Sequence, residues 1–358
     1  MYYLYPDYYK KFHCIADKCI DTCCAEWQIV IDDESLEKYR NYKGDYRQTL
    51  CQNIDWEEGV FGHNKRGKCA FLRDDDLCDM YIHMGEDSLC TTCREYPRHT
   101  EEFENLREIT LSLSCPEVAK IVMNTTEPIT FISKEDEADE CYEEFDYFLF
   151  SELEDVREEM IRIIQDRNVN IRDRIDKILQ IGVSVQRHYD AGSLISWNEF
   201  EESDRVCVEN EYELFERLFL FLFEEFEILY PQWAEVLVES RLFLFGEGKE
   251  IFEQNKEEFE TWWNTSNLTP LDIVLEQLVV YFISVYLLGA VYDENILGKV
   301  DACIGHTIEI YLLLLGRWLK HGELAMDDVI EVVYRYSREI EHSDENLERA
   351  EMLNWFAR

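Results

Sequence analysis

The chain has 358 residues, 46% hydrophobic and 14% aromatic, with 6 prolines and 14 glycines. That content supports two packed domains and excludes a disordered chain, and the few prolines and glycines favour helix over a turn-rich β fold. The formal net charge of −42, most of it carried after Ser133, repels phosphate backbones. No nucleic-acid partner is therefore expected; plain solubility or a cationic, lysine-bearing partner accounts for the acidity.

Taken in chain order, Met-Tyr-Tyr-Leu-Tyr-Pro-Asp at the start lacks the basic and apolar regions of a signal peptide. The aromatics Tyr2, Tyr3, Tyr5, Tyr8 and Tyr9 are predicted to lie in a core. Trp27 to Ile31 is predicted as a short strand, and Ile109 to Leu113 alternates as a half-buried strand does. The rest of the first 133 residues is predicted to be irregular. From Lys134 apolar residues recur at helical spacing, as in Phe145, Phe148, Leu149, Leu153, Val156 and Met160. Helices are predicted from Phe145 to Ile164 and over 171–189, 210–229, 232–245, 270–292, 296–320, 325–341 and 344–356. Pro231, Gly246-Glu247-Gly248, Asp293-Glu294-Asn295 and His321-Gly322 punctuate them. The longest uncharged apolar run, Leu278 to Tyr292, is shorter than the roughly 20 residues a bilayer needs. A cytoplasmic location with no membrane span is expected. The expected fold is mainly α: a cysteine-rich, irregular metal-binding module over 1–130 with a few short strands, then an acidic all-helical domain over 131–358.

Thirteen cysteines are present, ten of them before residue 116. Without a signal peptide, such density points to metal rather than disulfides. Cys14, Cys19, Cys23 and Cys24 form one group; Cys69, Cys78, Cys90 and Cys93 form another; Cys115 follows before Pro116. Thiolates are soft ligands suited to zinc or iron–sulfur clusters, each of which takes four. Nine thiols can fill two sites with one over, or one site with several spare. Adjacent side chains in extended backbone point apart, so Cys23 and Cys24 serve two centres or one of them does not ligate. Only Cys90 and Cys93 form the CxxC unit usual for zinc, which favours iron–sulfur. Cys51, Cys141, Cys207 and Cys303 lie outside the pattern and are expected to be buried, unligated thiols.

Several ordered pieces carry a family resemblance. They begin with Phe12-His13-Cys14, Cys19-Ile20-Asp21-Thr22-Cys23-Cys24-Ala25-Glu26-Trp27 and Ile29-Val30-Ile31-Asp32. Cys69-Ala70-Phe71-Leu72, Leu77-Cys78, Gly85-Glu86, Leu89-Cys90-Thr91-Thr92-Cys93, Tyr96-Pro97-Arg98 and Ser112-Leu113-Ser114-Cys115-Pro116-Glu117 follow. The series, spanning about residues 12–117, resembles the flagellin lysine-N-methylases. More loosely it is similar to cysteine-rich zinc- or iron-chelating domains. The resemblance implies an S-adenosylmethionine-dependent enzyme that methylates lysine side chains of flagellin and needs a [4Fe-4S] cluster.

Such chemistry requires a neutral amine, hence a proton acceptor, and a donor held in line. Glu26, Glu86, Glu95 and Tyr96, beside the cysteines, are the candidates for the proton, and Glu26 and Glu86 also suit a role bracing loops. Arg98 has the fork to hold a donor carboxylate or a phosphate. His13, His63, His83 and His99 are spare ligand candidates. No glycine-rich dinucleotide-type turn follows an apolar strand, and the CxxxCxxC spacing of radical chemistry is absent. The alternative from another class is a non-catalytic, metal-stapled interaction or metal-handling module.

Overall fold

The N-terminal aromatic run forms a strand, since alternate rings can face opposite sides of a sheet. In this computed structural model, residues 1–25, 27–65, 67–137, 146–193 and 210–352 are described. The first part contains β1 (Tyr2–Pro6), α1 (Asp33–Asn41), α2 (Arg47–Asn53), β2 (Ile54–Asp55) and β3 (Val60–Phe61). It continues with α3 (Asp79–Met84), α4 (Thr91–Glu95), β4 (Arg98–Phe103), β5 (Leu106–Leu111), α5 (Pro116–Met123) and β6 (Phe131–Glu135). The helical part holds α6 (Tyr147–Ile164), α7 (Ile171–Asp190), α8 (Glu211–Glu224), α9 (Pro231–Phe245) and α10 (Lys249–Thr265). It ends with α11 (Leu271–Tyr286), α12 (Ala290–Asp293), α13 (Ile296–His321), α14 (Met326–Glu341) and α15 (Asp344–Glu351). The molecule is mainly helical, as expected.

One sheet has the order β4-β5-β1-β6, with β1 parallel to β5 and antiparallel to β6. Within β1, Tyr2 is exposed, and Tyr8 beyond it is buried, so only part of the aromatic run enters the core. The strand expected at Trp27 to Ile31 does not form. Among the described residues the facing chain meets it at a single bridge, Val30 with Val60, with a second, Ala25 with Lys68, just before it. The second expected strand ends at Leu111; Leu113 then turns its amide toward the Tyr281 hydroxyl, 3.1 Å away. Helix α10 was not anticipated, because its charge-rich sequence reads as a solvated loop. Its Phe252, Lys256, Phe259 and Trp263 nevertheless fall on one buried face.

Buried side chains form two cores. The larger joins Tyr8, Phe12, Leu113 and Val118 to the helices, so residues on either side of position 130 share it. The smaller comprises Ile29, Leu36, Tyr39, Leu50, Phe61, Phe71 and Met80 with their neighbours. Helix α13 runs through the larger core against α7, α9 and α11. A Cβ on Gly182 of α7 would stand 3.0 Å from Val300 Cγ1 of α13, which is why the helices approach so closely there. Leu271–Asp293 and Ile296–His321 are long and apolar enough to cross a membrane, yet both are mostly enclosed by protein. They read as core helices, and α13 buries Lys299, Asp301, His306 and Glu309. Two ion pairs tie layers together. Arg157 of α6 grips Glu108 of β5 with contacts of 2.5 and 2.6 Å. Glu276 of α11, fully buried, receives Arg167 at 2.8 Å and Arg174 at 2.9 Å.

Candidate functional site

The small core positions five thiols. Cys69 and Cys90 are buried within it, and Cys24, Cys78 and Cys93 pack against it. The Cys69 amide donates to the Cys24 carbonyl at 2.8 Å, which brings two distant stretches of chain side by side. Asp32 organises the far wall. One carboxylate oxygen accepts the Ser35 amide at 2.9 Å as the cap of α1, and the other accepts the Thr91 amide at 2.8 Å. Burial alone would raise the Asp32 pKa, but the Thr91 and Ser35 amides outweigh it and hold it at about 2. Thr91 opens α4, whose flank and body carry Cys90 and Cys93, so this bond fixes the CxxC unit. Burial, assisted by Cys24, Cys78 and Cys90, pushes the Cys69 thiol up to about 12. Hydrogen bonding to Cys93 lowers Cys90, and Cys93 is raised in return.

The remaining four clustered thiols, Cys14, Cys19, Cys23 and Cys115, gather elsewhere. Cys115 lies in the larger core at the start of α5. Cys14 and Cys115 both act electrostatically on Cys23, and Cys14 and Cys19 act on Cys115. The Cys23 thiol is raised first by its bond to the neighbouring Cys24, whose pKa falls to about 7. All eleven described cysteines are free thiols. Among the described residues, no three His, Cys, Asp or Glu donors stand close enough to share one metal ion.

Helix α14 completes this second region from the far end of the chain. Arg338 pairs with the Asp21 carboxylate at 3.0 Å and donates to the carbonyls of Asp21 and Ser114, each at 3.0 Å. It thus clamps the Cys19–Cys23 segment to the Cys115 segment. Just beyond the helix, His342 stacks on Trp27 with ring centres 4.7 Å apart, and Tyr96 packs against both rings. Trp27 Nε1 donates to the Cys23 carbonyl. His342 Nε2 lies 3.1 Å from Ser114 Oγ, which lies 2.5 Å from Ser112 Oγ; Ser112 in turn donates to Glu341. His342 Nδ1 is buried with no hydrogen-bond partner among the described residues. Burial, then the nearby Arg338 charge, hold the His342 pKa down to about 4, so the ring is neutral. Burial raises the Glu341 carboxyl against the pull of Ser112 and Tyr281.

The sequence-predicted residues are distributed unevenly over this arrangement. Tyr96 is part of it, with its hydroxyl 3.0 Å from Ser114 Oγ and its pKa raised by burial beside Cys115 and Cys23. Glu86 is exposed on a turn, and Glu95 faces solvent paired with Arg94 at 3.1 Å. Arg98 lies over the rings of Tyr9 and Phe12. Glu26, Cys141 and Cys207 lie outside the described residues. Cys303 is buried as expected, whereas Cys51 is exposed, since it falls on the outer face of α2 opposite buried Leu50. Sequence reasoning missed Arg338, Glu341 and His342. The available signal was a run of charged residues in helical register with the apolar Ile330 and Tyr334, the mark of a polar group held in a core. A cavity of about 160 Å³ opens at Cys19, Asp21, Thr22, Lys68 and Asp76. A larger one of about 580 Å³ lies within the helical part, between Arg172, Phe215, Lys256, Glu260 and Tyr311.

Fold and site together define a mainly helical protein whose C-terminal helices close over a thiol-rich N-terminal segment. Residues 157–356, over half the chain, match the FliB lysine N-methylase C-terminal domain. The chain belongs to the FliB lysine N-methylase family. It is 29% identical over 138 residues to a lysine-N-methylase of Salmonella typhimurium, a stretch covering 36% of this chain and 34% of that protein. A lysine-N-methylase of Salmonella choleraesuis matches equally. The flagellar biosynthetic protein FliU of Salmonella muenchen is 30% identical over 128 residues, 33% of this chain and 75% of that one. The match therefore spans about a third of the length of the two methylases. No solved structure matches.

Proposed function

We propose that this chain is a protein-lysine N-methyltransferase that acts on flagellin with S-adenosylmethionine as donor, in the cytoplasm, and that its clustered cysteines hold a [4Fe-4S] centre. The observation that carries this reading is that His342 and Arg338, from the family domain, both bond Ser114 next to Cys115, while Trp27, stacked on His342, bonds the Cys23 carbonyl. The donor set suits the group. It is all thiol, unpaired and partly buried. When bound, the cluster supplies a rigid frame that holds these chain segments together.

S-adenosylmethionine supplies an electrophilic methyl on a sulfonium. The lysine nitrogen lone pair forms the new C–N bond while the C–S bond breaks and its electrons leave with the thioether. The amine has to lose its proton. Removal from water beside Trp27 and Tyr96 disfavours the charged ammonium and so lowers its pKa, and with Nε2–H donating to Ser114 the neutral His342 offers its Nδ1 lone pair to orient the amine. The rings of Trp27 and Tyr96 provide faces that attract the ammonium before it deprotonates.

The test is methyl transfer from labelled S-adenosylmethionine to flagellin by anaerobically prepared protein. Labelled lysine is expected, and His342→Ala is expected to slow transfer by about 10²-fold with unchanged metal content. Protein with full metal content and no transfer would instead be the non-catalytic, metal-stapled module.

A further inference from the structure

We propose that Glu341 is a positioning residue: through Ser112 and Ser114 it holds His342 in the single neutral form with Nε2 protonated and Nδ1 bare. Its bearing on methyl transfer rests on the reading that His342 meets the substrate amine.

The form follows from counting protons and lone pairs. A carboxylate only accepts, whereas a serine hydroxyl has one proton and two lone pairs. One Glu341 oxygen takes the Tyr281 hydroxyl at 2.9 Å, while Tyr281 itself receives the Leu113 amide at 3.1 Å. The other oxygen takes the Ser112 hydroxyl, whose single proton is thereby used. Ser112 Oγ then accepts from its remaining neighbours, the Ser114 amide at 3.1 Å and the Ser114 hydroxyl at 2.5 Å. That uses the only proton on Ser114 Oγ. Its two lone pairs are left for the Tyr96 hydroxyl at 3.0 Å and His342 Nε2 at 3.1 Å, so both of these donate. Each hydroxyl in the chain is filled, and every proton points toward Glu341. Turning the chain round would require the carboxylate to donate. The ring is neutral because it is buried beside the Arg338 guanidinium, and its one proton sits on Nε2. Nδ1 therefore keeps its lone pair. Glu341 acts on the ring through the two serines, and the Ser112–Ser114 turn that carries them comes from the other end of the chain.

The experiment records long-range proton–nitrogen correlations of the histidine rings near neutral pH, in anaerobically purified full-length protein with isotope-labelled histidine. His342→Gln identifies the signal among the eight histidines. A bare ring nitrogen resonates well apart from a protonated one, so the two neutral forms are told apart directly. Wild type is expected to show His342 protonated at Nε2 alone. Glu341→Gln has an amide that can donate to Ser112 and turn the chain round, and Ser112→Ala cuts it. Both are expected to bring up the Nδ1-protonated form, with helix content by circular dichroism unchanged. In the methyl-transfer assay Glu341→Gln should lower kcat by about 10-fold while the KM for flagellin stays. Wild type protonated at Nδ1 or on both nitrogens overturns the inference, and so do two folded variants that keep the wild-type form. Wild type with the expected form but without methyl transfer leaves the positioning role standing and counts only against the proposed activity.

Discussion

The two cores of this molecule are stabilised differently. Around α13 the helices bury large apolar side chains such as Phe259, Trp263, Tyr281 and Phe282, each worth about 1.5–3 kcal/mol when removed from water. The small core has fewer such residues, and two of its fully enclosed positions are cysteines, Cys69 and Cys90. A core of that size rarely outweighs the entropy of ordering the loops around it, so it calls for a staple. The comparison teaches that apolar area suffices where helices are long, whereas the short, looped segment around the small core has too little of it to be held by burial alone.

The sharpest way to break that contrast is to strip metal with a strong chelator under anaerobic conditions. Amides between Cys24 and Cys93 should lose hydrogen-exchange protection, a loss on the order of 10 kcal/mol, while those of α11 and α13 keep theirs. Equal loss in both regions would show that the cores are not independently stabilised. The helical part should break instead at its buried charges. Glu108→Ala leaves the Arg157 guanidinium enclosed and unpaired, and urea denaturation should show about 3–5 kcal/mol of destabilisation with metal content unchanged.

Acidity should act where the two regions meet. The folded His342 ring has its pKa near 4, below the unfolded value of about 6.5, so the unfolded state binds the extra proton between these values. Its contribution is complete above pH 6.5 and shrinks as pH falls. Between pH 6.5 and 5 this amounts to roughly 2 kcal/mol, and His342→Gln should remove that slope. Glu341, raised by burial, acts in the opposite direction, but it is common to both proteins and cancels in the comparison. The smallest effect is at the cap of α1. Asp32→Ala should cost about 1–2 kcal/mol, seen as faster exchange of the Ser35 and Thr91 amides.

The helices after Lys134 were legible because their apolar spacing is strong, and Leu271–Tyr286 and Ile296–His321 appear close to where periodicity put them. Lys249–Thr265 was not, since a buried face of three aromatics and one lysine, set among acids, carries too little apolar signal. Of the N-terminal strands, β5 was partly legible from the alternation at Ile109 to Leu111, whereas the others were hidden for another reason. β1 pairs with β5 and β6 from more than a hundred residues away, and no local pattern encodes such a partner. Of the candidate site, the thiols and Tyr96 were legible from residue type and spacing. Arg338, Glu341 and His342 were not, because their role depends on which loop the last long helix meets.

The Arg338 clamp has a consequence for how the molecule is made. Its partner Asp21 lies 317 positions earlier in the chain. A ribosome adding about 5–20 residues per second needs roughly 15–60 s to synthesise that interval. Throughout it, the first cysteines to emerge wait without the residue that locks them. The clamp on that end of the protein can close only after translation of α14, when the finished polypeptide folds back upon its own beginning.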